Sequence, residues 1–139
     1  MSQSEYRAVL IGLGFMGAGD QISGDKIGQQ VKRLDGTHLE ALSKHPQVKL
    51  VGGSDLQEDR RDRFAERTGA AIYADWQEML EKERPEIVSV ATNSPVHAEI
   101  TIAAAEAGAK AVYCEKPMAN VLSEGNAAFD AVKRSGRIV

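Results

Sequence analysis

Residues 8–30, AVLIGLGFMGAGDQISGDKIGQQ, decide how the fold is read, and their two halves pull apart. The first half is an apolar run ending in Gly12, Gly14 and Gly17, a G-x-G-x-x-G turn placed directly after a strand pattern. Such a turn has a chemical use. Its first glycine bends the chain sharply, its second lets the backbone approach a pyrophosphate, and its third allows close packing behind. A helix opening there aims unpaired N–H groups at phosphate oxygens. The second half lacks the apolar periodicity of that helix and carries Gly19, Gly24 and Gly28 instead.

The partner of such a turn is a carboxylate about 20 residues on, at the end of the second strand, where it accepts hydrogen bonds from the adenosine ribose. Asp55 ends the second apolar run but lies 38 positions after Gly17. The excess of about 18 residues over that rule matches the length of the odd segment 18–36. That segment therefore reads as an insertion into a genuine dinucleotide fingerprint. A solvated loop over the domain edge is the expected form, with a lid near the pyrophosphate or the substrate mouth as the sharper alternative. Within it, residues 25–34 (DKIGQQVKRL) suit a short helix weakened by Gly28. Asp20, Asp25 and Asp35 match no calcium-loop spacing, and no metal site is expected.

Working outward, continuous apolar runs alternate with helical patterns. Strands are expected at residues 6–12, 48–55, 70–74, 86–92 and 109–115, with a sixth beginning at 137–139. Continuous rather than alternating apolar runs belong to strands covered on both faces. Helices are expected between them, with Thr37 and Glu40 at capping-box spacing, Asp75 and Glu78 as a similar start, and Ser94 as a cap before Pro95. Gly69, Gly108 and Gly136 read as stops. The alternation predicts an α/β fold, a doubly wound parallel sheet with right-handed crossovers, in one domain spanning residues 1–139.

Composition narrows the function. The chain of 139 residues is 42% hydrophobic and 27% charged, as one globular domain should be. A formal net charge of −3 with scattered Lys and Arg argues against nucleic acid or an anionic membrane as partner. RRDR at 60–63 reads as a solvated helix face. Cys114 is the only cysteine, so there is no disulfide framework. The polar N-terminus and the lack of a long apolar run make a cytoplasmic location the expectation. Cys114 reads as a small buried residue, His38 as packing or capping, and His45 as a helix-end residue. Trp76, Met79 and Leu80 read as core. A carboxylate at Asp55 favours NAD over NADP; Arg60 and Arg61 follow within the next turn and could rescue NADP, but they sit well inside the helix, so NAD is the expected cofactor.

Residues 91–119, ATNSPVHAEITIAAAEAGAKAVYCEKPMA, are the most specific part of the chain. With the glycine turn and THLEAL, they resemble the Gfo/Idh/MocA oxidoreductases, a family named for glucose–fructose oxidoreductase and inositol dehydrogenase. The resemblance runs from residue 7 to residue 139. It implies a Rossmann-type, three-layer nucleotide-binding domain, NAD(P) dependence, and sugars, inositols or related polyols as substrates. Carried over by position, it implies that Gly12, Gly14 and Gly17 hold the pyrophosphate, with Phe15 and Met16 along the turn and Asp55 on the ribose. It further implies that Thr92, Asn93 and His97 line the cofactor cleft. Glu115, Lys116 and Pro117 would lie under the nicotinamide, with Lys116 as the catalytic lysine. From the residues alone, His97 reads equally well as a capping or packing side chain.

Family members pair this domain with a C-terminal substrate domain that the sequence does not contain, so the chain alone is expected to be inactive and to self-associate as a homo-oligomer. A different reading, a non-catalytic nucleotide-binding or sensing module, is disfavoured by EKP, since a sensor need not keep a lysine there.

Overall fold

A computed structural model describes residues 5–28 and 36–139 of the protein. Five strands, β1 (Tyr6–Ile11), β2 (Val48–Ser54), β3 (Ala71–Tyr73), β4 (Ile87–Val90) and β5 (Ala111–Cys114), form one parallel sheet in the order β3-β2-β1-β4-β5. The order reverses at β1, as in a doubly wound fold. β1 shows why the apolar runs are continuous. Successive side chains point to opposite faces, so Ala8 and Leu10 join Leu39, Leu42 and Phe64 on one side. Val9 and Ile11 join Met79, Val88 and Ile100 on the other. Each fully buried aliphatic side chain contributes roughly 1.5–3 kcal/mol, and the central strand collects this on both faces.

The helices are α1 (Phe15–Ala18), α2 (Gln21–Lys26), α3 (His38–Lys44), α4 (Glu58–Thr68), α5 (Trp76–Glu83), α6 (His97–Glu106) and α7 (Leu122–Ser135). Several ends fall where the sequence placed them. The Thr37 hydroxyl accepts from the Glu40 N–H at 3.2 Å, and Asp75 accepts from the Gln77 N–H at 2.8 Å. Gly69 and Gly136, both at φ 68°, close α4 and α7 in the left-handed region that glycine tolerates. One start differs. Residues Ser94–Val96 form a 3-10 turn without a side-chain cap, and α6 begins only at His97. The sixth strand is a single parallel bridge between Ile138 and Ala111.

The insertion is the main correction. Its first part is not a solvated loop. α1 is a single turn ended by Gly19, and α2 follows at once with Asp20 as its cap, accepting from the Ser23 N–H at 3.1 Å. Asp20, Ser23 and Gly24 are buried. The cause lies in α4: Arg63 grips the Asp20 carboxylate with two nitrogens, at 2.7 and 2.9 Å, and Arg67 donates to the Ala18 carbonyl at 2.7 Å. RRDR is thus partly an inward-facing anchor. Asp35 and most of the helix expected at 25–34 lie outside the described residues; α2 ends at Lys26, and Gly28 has φ 70°.

Candidate functional site

The carboxyl ends of the strands open into one cleft of about 750 Å3. Ligands of open α/β sheets bind in this position. Gly12, Gly14, Asp55, Thr92, Asn93, Glu115 and Lys116 all border it, with Phe15 and Met16 along the turn.

The three glycines have separate duties. Gly12 sits at φ 95°, and a Cβ there would lie 2.5 Å from the Ala91 carbonyl oxygen, so the turn is pressed against the end of β4. A Cβ on Gly17 would lie 2.0 Å from the Gly12 oxygen, so this glycine closes the turn from behind and does not border the cleft. A Cβ on Gly14 would meet nothing nearer than the Arg60 guanidinium at 3.5 Å. Its missing side chain therefore leaves the cleft floor open, which is what a closely approaching phosphate requires.

Asp55 follows β2 and ties it to that turn. Its Oδ2 accepts from the Leu13 N–H and its Oδ1 from the Gln57 N–H, both at 2.9 Å. Arg60 lies inside α4, yet its side chain borders the cleft, and its Nη1 lies 3.4 Å from Asp55 Oδ2. Its Nε is buried and has no hydrogen-bond partner among the described residues. Arg61 instead donates to the Asp55 and Leu56 carbonyls at 2.8 and 3.0 Å. Ser23 and Ile27, within segment 18–36, contribute to the cleft wall, which the sequence reading did not place there.

Opposite lies the loop after β5. Glu115 Oε2 accepts from the Lys116 N–H, and Oε1 lies 3.2 Å from Nε2 of His38. Burial alone would push this carboxyl up. The hydrogen bonds from His38 and from the Lys116 backbone outweigh it, so Glu115 titrates below the usual glutamate range. Lys116 is exposed at the cleft. Burial pushes the Cys114 thiol up, which keeps it protonated and unreactive, as befits a packing residue.

His97 is not a lining residue. Its ring is buried, with Nδ1 2.7 Å from the Pro117 oxygen and Nε2 2.8 Å from the Thr92 oxygen. Carbonyls only accept, so the ring nitrogen that carries the proton is the one that donates. It staples the end of β4 to the loop after β5, while Pro117 itself is exposed and does not line the cleft. His38, expected to pack or cap, is indeed buried and stacked on Tyr113; what sequence reasoning missed is that its ring also reaches Glu115. Its place beside the Thr37 cap carries no hint that the ring crosses to Glu115.

The comparisons agree with this geometry. Residues 6–139 match the family model GFO_IDH_MocA, described as an oxidoreductase family with an NAD-binding Rossmann fold. Levoglucosan dehydrogenase of Pseudarthrobacter phenanthrenivorans is 47% identical over 60 residues, which is 43% of this chain and 15% of that protein. Inositol 2-dehydrogenase of Rubrobacter xylanophilus is 31% identical over 105 residues, 75% of this chain and 30% of that protein. The crystal structure of WlbA dehydrogenase from Bordetella pertussis, in complex with NADH and UDP-GlcNAcA, has a TM-score of 0.74 at 26% identity. That match covers 97% of this chain and 37% of that one. This chain spans less than a third of the length of either curated relative. With its glycine turn at the switch point of a five-stranded parallel sheet, the chain belongs to the Gfo/Idh/MocA oxidoreductase family and carries its NAD-binding Rossmann fold.

Proposed function

We propose that this chain is the cofactor-binding part of a dehydrogenase that moves hydride between a nicotinamide dinucleotide and a sugar, an inositol or a related polyol. The observation that carries the reading is convergence: the glycine turn, Asp55 and the Glu115–Lys116 pair come from distant stretches of chain and border one cleft. The residues suit a dinucleotide. Gly14 leaves the floor bare for a pyrophosphate, and the nearly buried Asp55 carboxylate stands at the end of β2, where a ribose hydroxyl would be recognised. A carboxylate there favours a free 2′-hydroxyl over a 2′-phosphate, so NAD is the preferred cofactor; Arg60 beside it narrows the margin over NADP.

A bound nicotinamide supplies the hydride acceptor or donor. Lys116 supplies the proton transfer: as a free amine its Nζ takes the proton from a substrate hydroxyl, and as an ammonium it returns it in the reverse direction. Levoglucosan dehydrogenase and inositol 2-dehydrogenase, by name, act on a sugar derivative and an inositol, which supports the substrate class. In this reading a substrate-holding domain completes the site, because hydride transfer needs the substrate carbon within about 3–3.5 Å of its partner.

Titration of the chain with NADH and NADPH tests the reading. NADH is expected to bind more tightly, and Asp55→Ala to weaken it by roughly tenfold, the scale of a lost hydrogen bond to a charged group. Equal affinity of wild type and variant would remove Asp55 from the site. Tighter NADPH binding would reverse the cofactor preference.

A further inference from the structure

Glu115 of the EKP loop turns its carboxylate toward the protein. Oε2 accepts from the Lys116 N–H at 3.2 Å, and Oε1 faces His38 Nε2 at 3.2 Å. An ionised carboxylate only accepts, so Nε2 must carry the proton and donate. A neutral His38 then presents a lone pair at Nδ1. The Ser89 hydroxyl, fully buried on β4 and 2.6 Å from Nδ1, is placed to donate into it. His38 itself is 2% exposed, and its ring stacks on Tyr113 of β5 with centroids 4.6 Å apart. The ring plane is therefore fixed by a neighbour as well as by its two hydrogen bonds.

We propose that Ser89 and His38 are positioning residues for Lys116: they orient Glu115 so that its carboxylate holds the Lys116 backbone and presents the lysine to the cleft. Glu115 is the splint between them. A glutamate with a partly exposed side chain would otherwise turn to water and release the Lys116 N–H. The donor from buried His38, charge-assisted by the carboxylate it meets, favours the inward orientation. His97 holds the next residue through the Pro117 carbonyl, so Lys116 stands between two fixed points. The chemical use of this device rests on the proton-transfer role proposed above for Lys116, but the device itself is tested without turnover.

The test compares the 139-residue wild type with His38→Leu, His38→Gln and Ser89→Ala. Thermal melting checks the fold, while NMR follows Lys116 amide exchange and Glu115 titration. In His38→Leu the Lys116 amide should exchange roughly tenfold faster, and the Glu115 carboxyl should titrate higher than in wild type. His38→Gln, whose amide nitrogen donates where Nε2 did, should restore both. Ser89→Ala should lower the share of rings carrying the proton on Nε2. A folded His38→Leu with unchanged Lys116 exchange and unchanged Glu115 titration overturns the proposal. If His38→Leu does not fold, the wild-type ring 15N shifts decide. A proton on Nε2 supports the splint; a neutral ring protonated only at Nδ1 has no donor for Glu115 and overturns it. NADH titration of the same samples separates the two claims, since a chain with an intact splint that binds no dinucleotide refutes the proposed function alone.

Discussion

The two walls of the cleft are held by different forces. On the glycine-turn side, α2 is anchored by an ion pair between the buried Asp20 carboxylate and the part-exposed Arg63 guanidinium. On the β4–β5 side, the Lys116 loop is anchored by the buried imidazoles of His38 and His97 acting as hydrogen-bond ties. Removing Arg63 leaves the buried Asp20 carboxylate uncompensated, so that wall should fail abruptly and respond to pH. Cutting one hydrogen-bond tie in the other wall leaves the loop held by the rest, so that wall should loosen locally. Charge anchors a segment where no strand register is available; hydrogen-bond ties refine a loop whose strands are already aligned.

The largest effect expected on either wall comes from the turn that joins them to the sheet. Gly17→Ala places a Cβ 2.0 Å from the Gly12 oxygen, where backbone must move, and should cost about 3 kcal/mol or more in chemical denaturation. Gly14→Ala, whose Cβ would meet only the Arg60 guanidinium at an ordinary contact distance of 3.5 Å, should keep the melting temperature and lose dinucleotide affinity. Equal stability losses in the two variants would erase the division of labour among the glycines.

Next comes the ion-pair wall. Arg63→Leu should cost about 2 kcal/mol, and replacing residues 19–36 by a short link should destabilise the domain, although loop closure alone would make that deletion cheap. The anchor should also show in pH. Burial pushes the Asp20 carboxyl up, but the Arg63 hydrogen bonds, with those from Ser23, hold it below the ordinary aspartate value of 3.8. A carboxyl depressed in the folded state stabilises fully above its unfolded pKa, and that gain disappears as pH falls through the folded one. Wild type should therefore lose stability below about pH 4 faster than Asp20→Asn does. Parallel acid curves for the two proteins would break the contrast between the walls.

The smallest effect is a control away from both walls. The Tyr73 hydroxyl donates to Glu83 at 2.7 Å, and this bond, with burial, raises the phenol to about 12. Of the three tyrosines, one should titrate about two pH units late by ultraviolet absorbance, and Tyr73→Phe should remove that step at a cost of about 1 kcal/mol. The gain is fully present below the unfolded tyrosine pKa and is lost as pH rises toward 12.

The same contrast explains what could be read from the sequence. The five strands, the caps at Thr37 and Asp75 and the stops at Gly69 and Gly136 are local signals, written in apolar period and turn chemistry, and the structure keeps them. Gly12, Gly14, Asp55, Thr92, Asn93, Glu115 and Lys116 could be brought to one cleft because strand ends in a parallel sheet converge by topology. Three things stayed hidden because they depend on long side chains crossing between elements. Arg63 lies 43 positions from Asp20, His38 lies 77 positions from Glu115, and Arg60 leans out of α4 toward the cleft. Periodicity marks which face a residue occupies, not whose carboxylate it will meet, so α2 read as loop and the reach of the packed His38 ring to Glu115 went unread.

The central claim, that the cleft between these walls holds a dinucleotide, is tested most directly by mapping backbone amide shifts as NADH is added to the 139-residue chain. The account predicts saturable shifts concentrated at Gly12, Gly14, Asp55, Thr92 and Lys116, with Ser23 and Ile27 of the inserted wall moving too, and with α7 unmoved. No saturable shift, or shifts gathered on α7 and the outer face of α6, would contradict it.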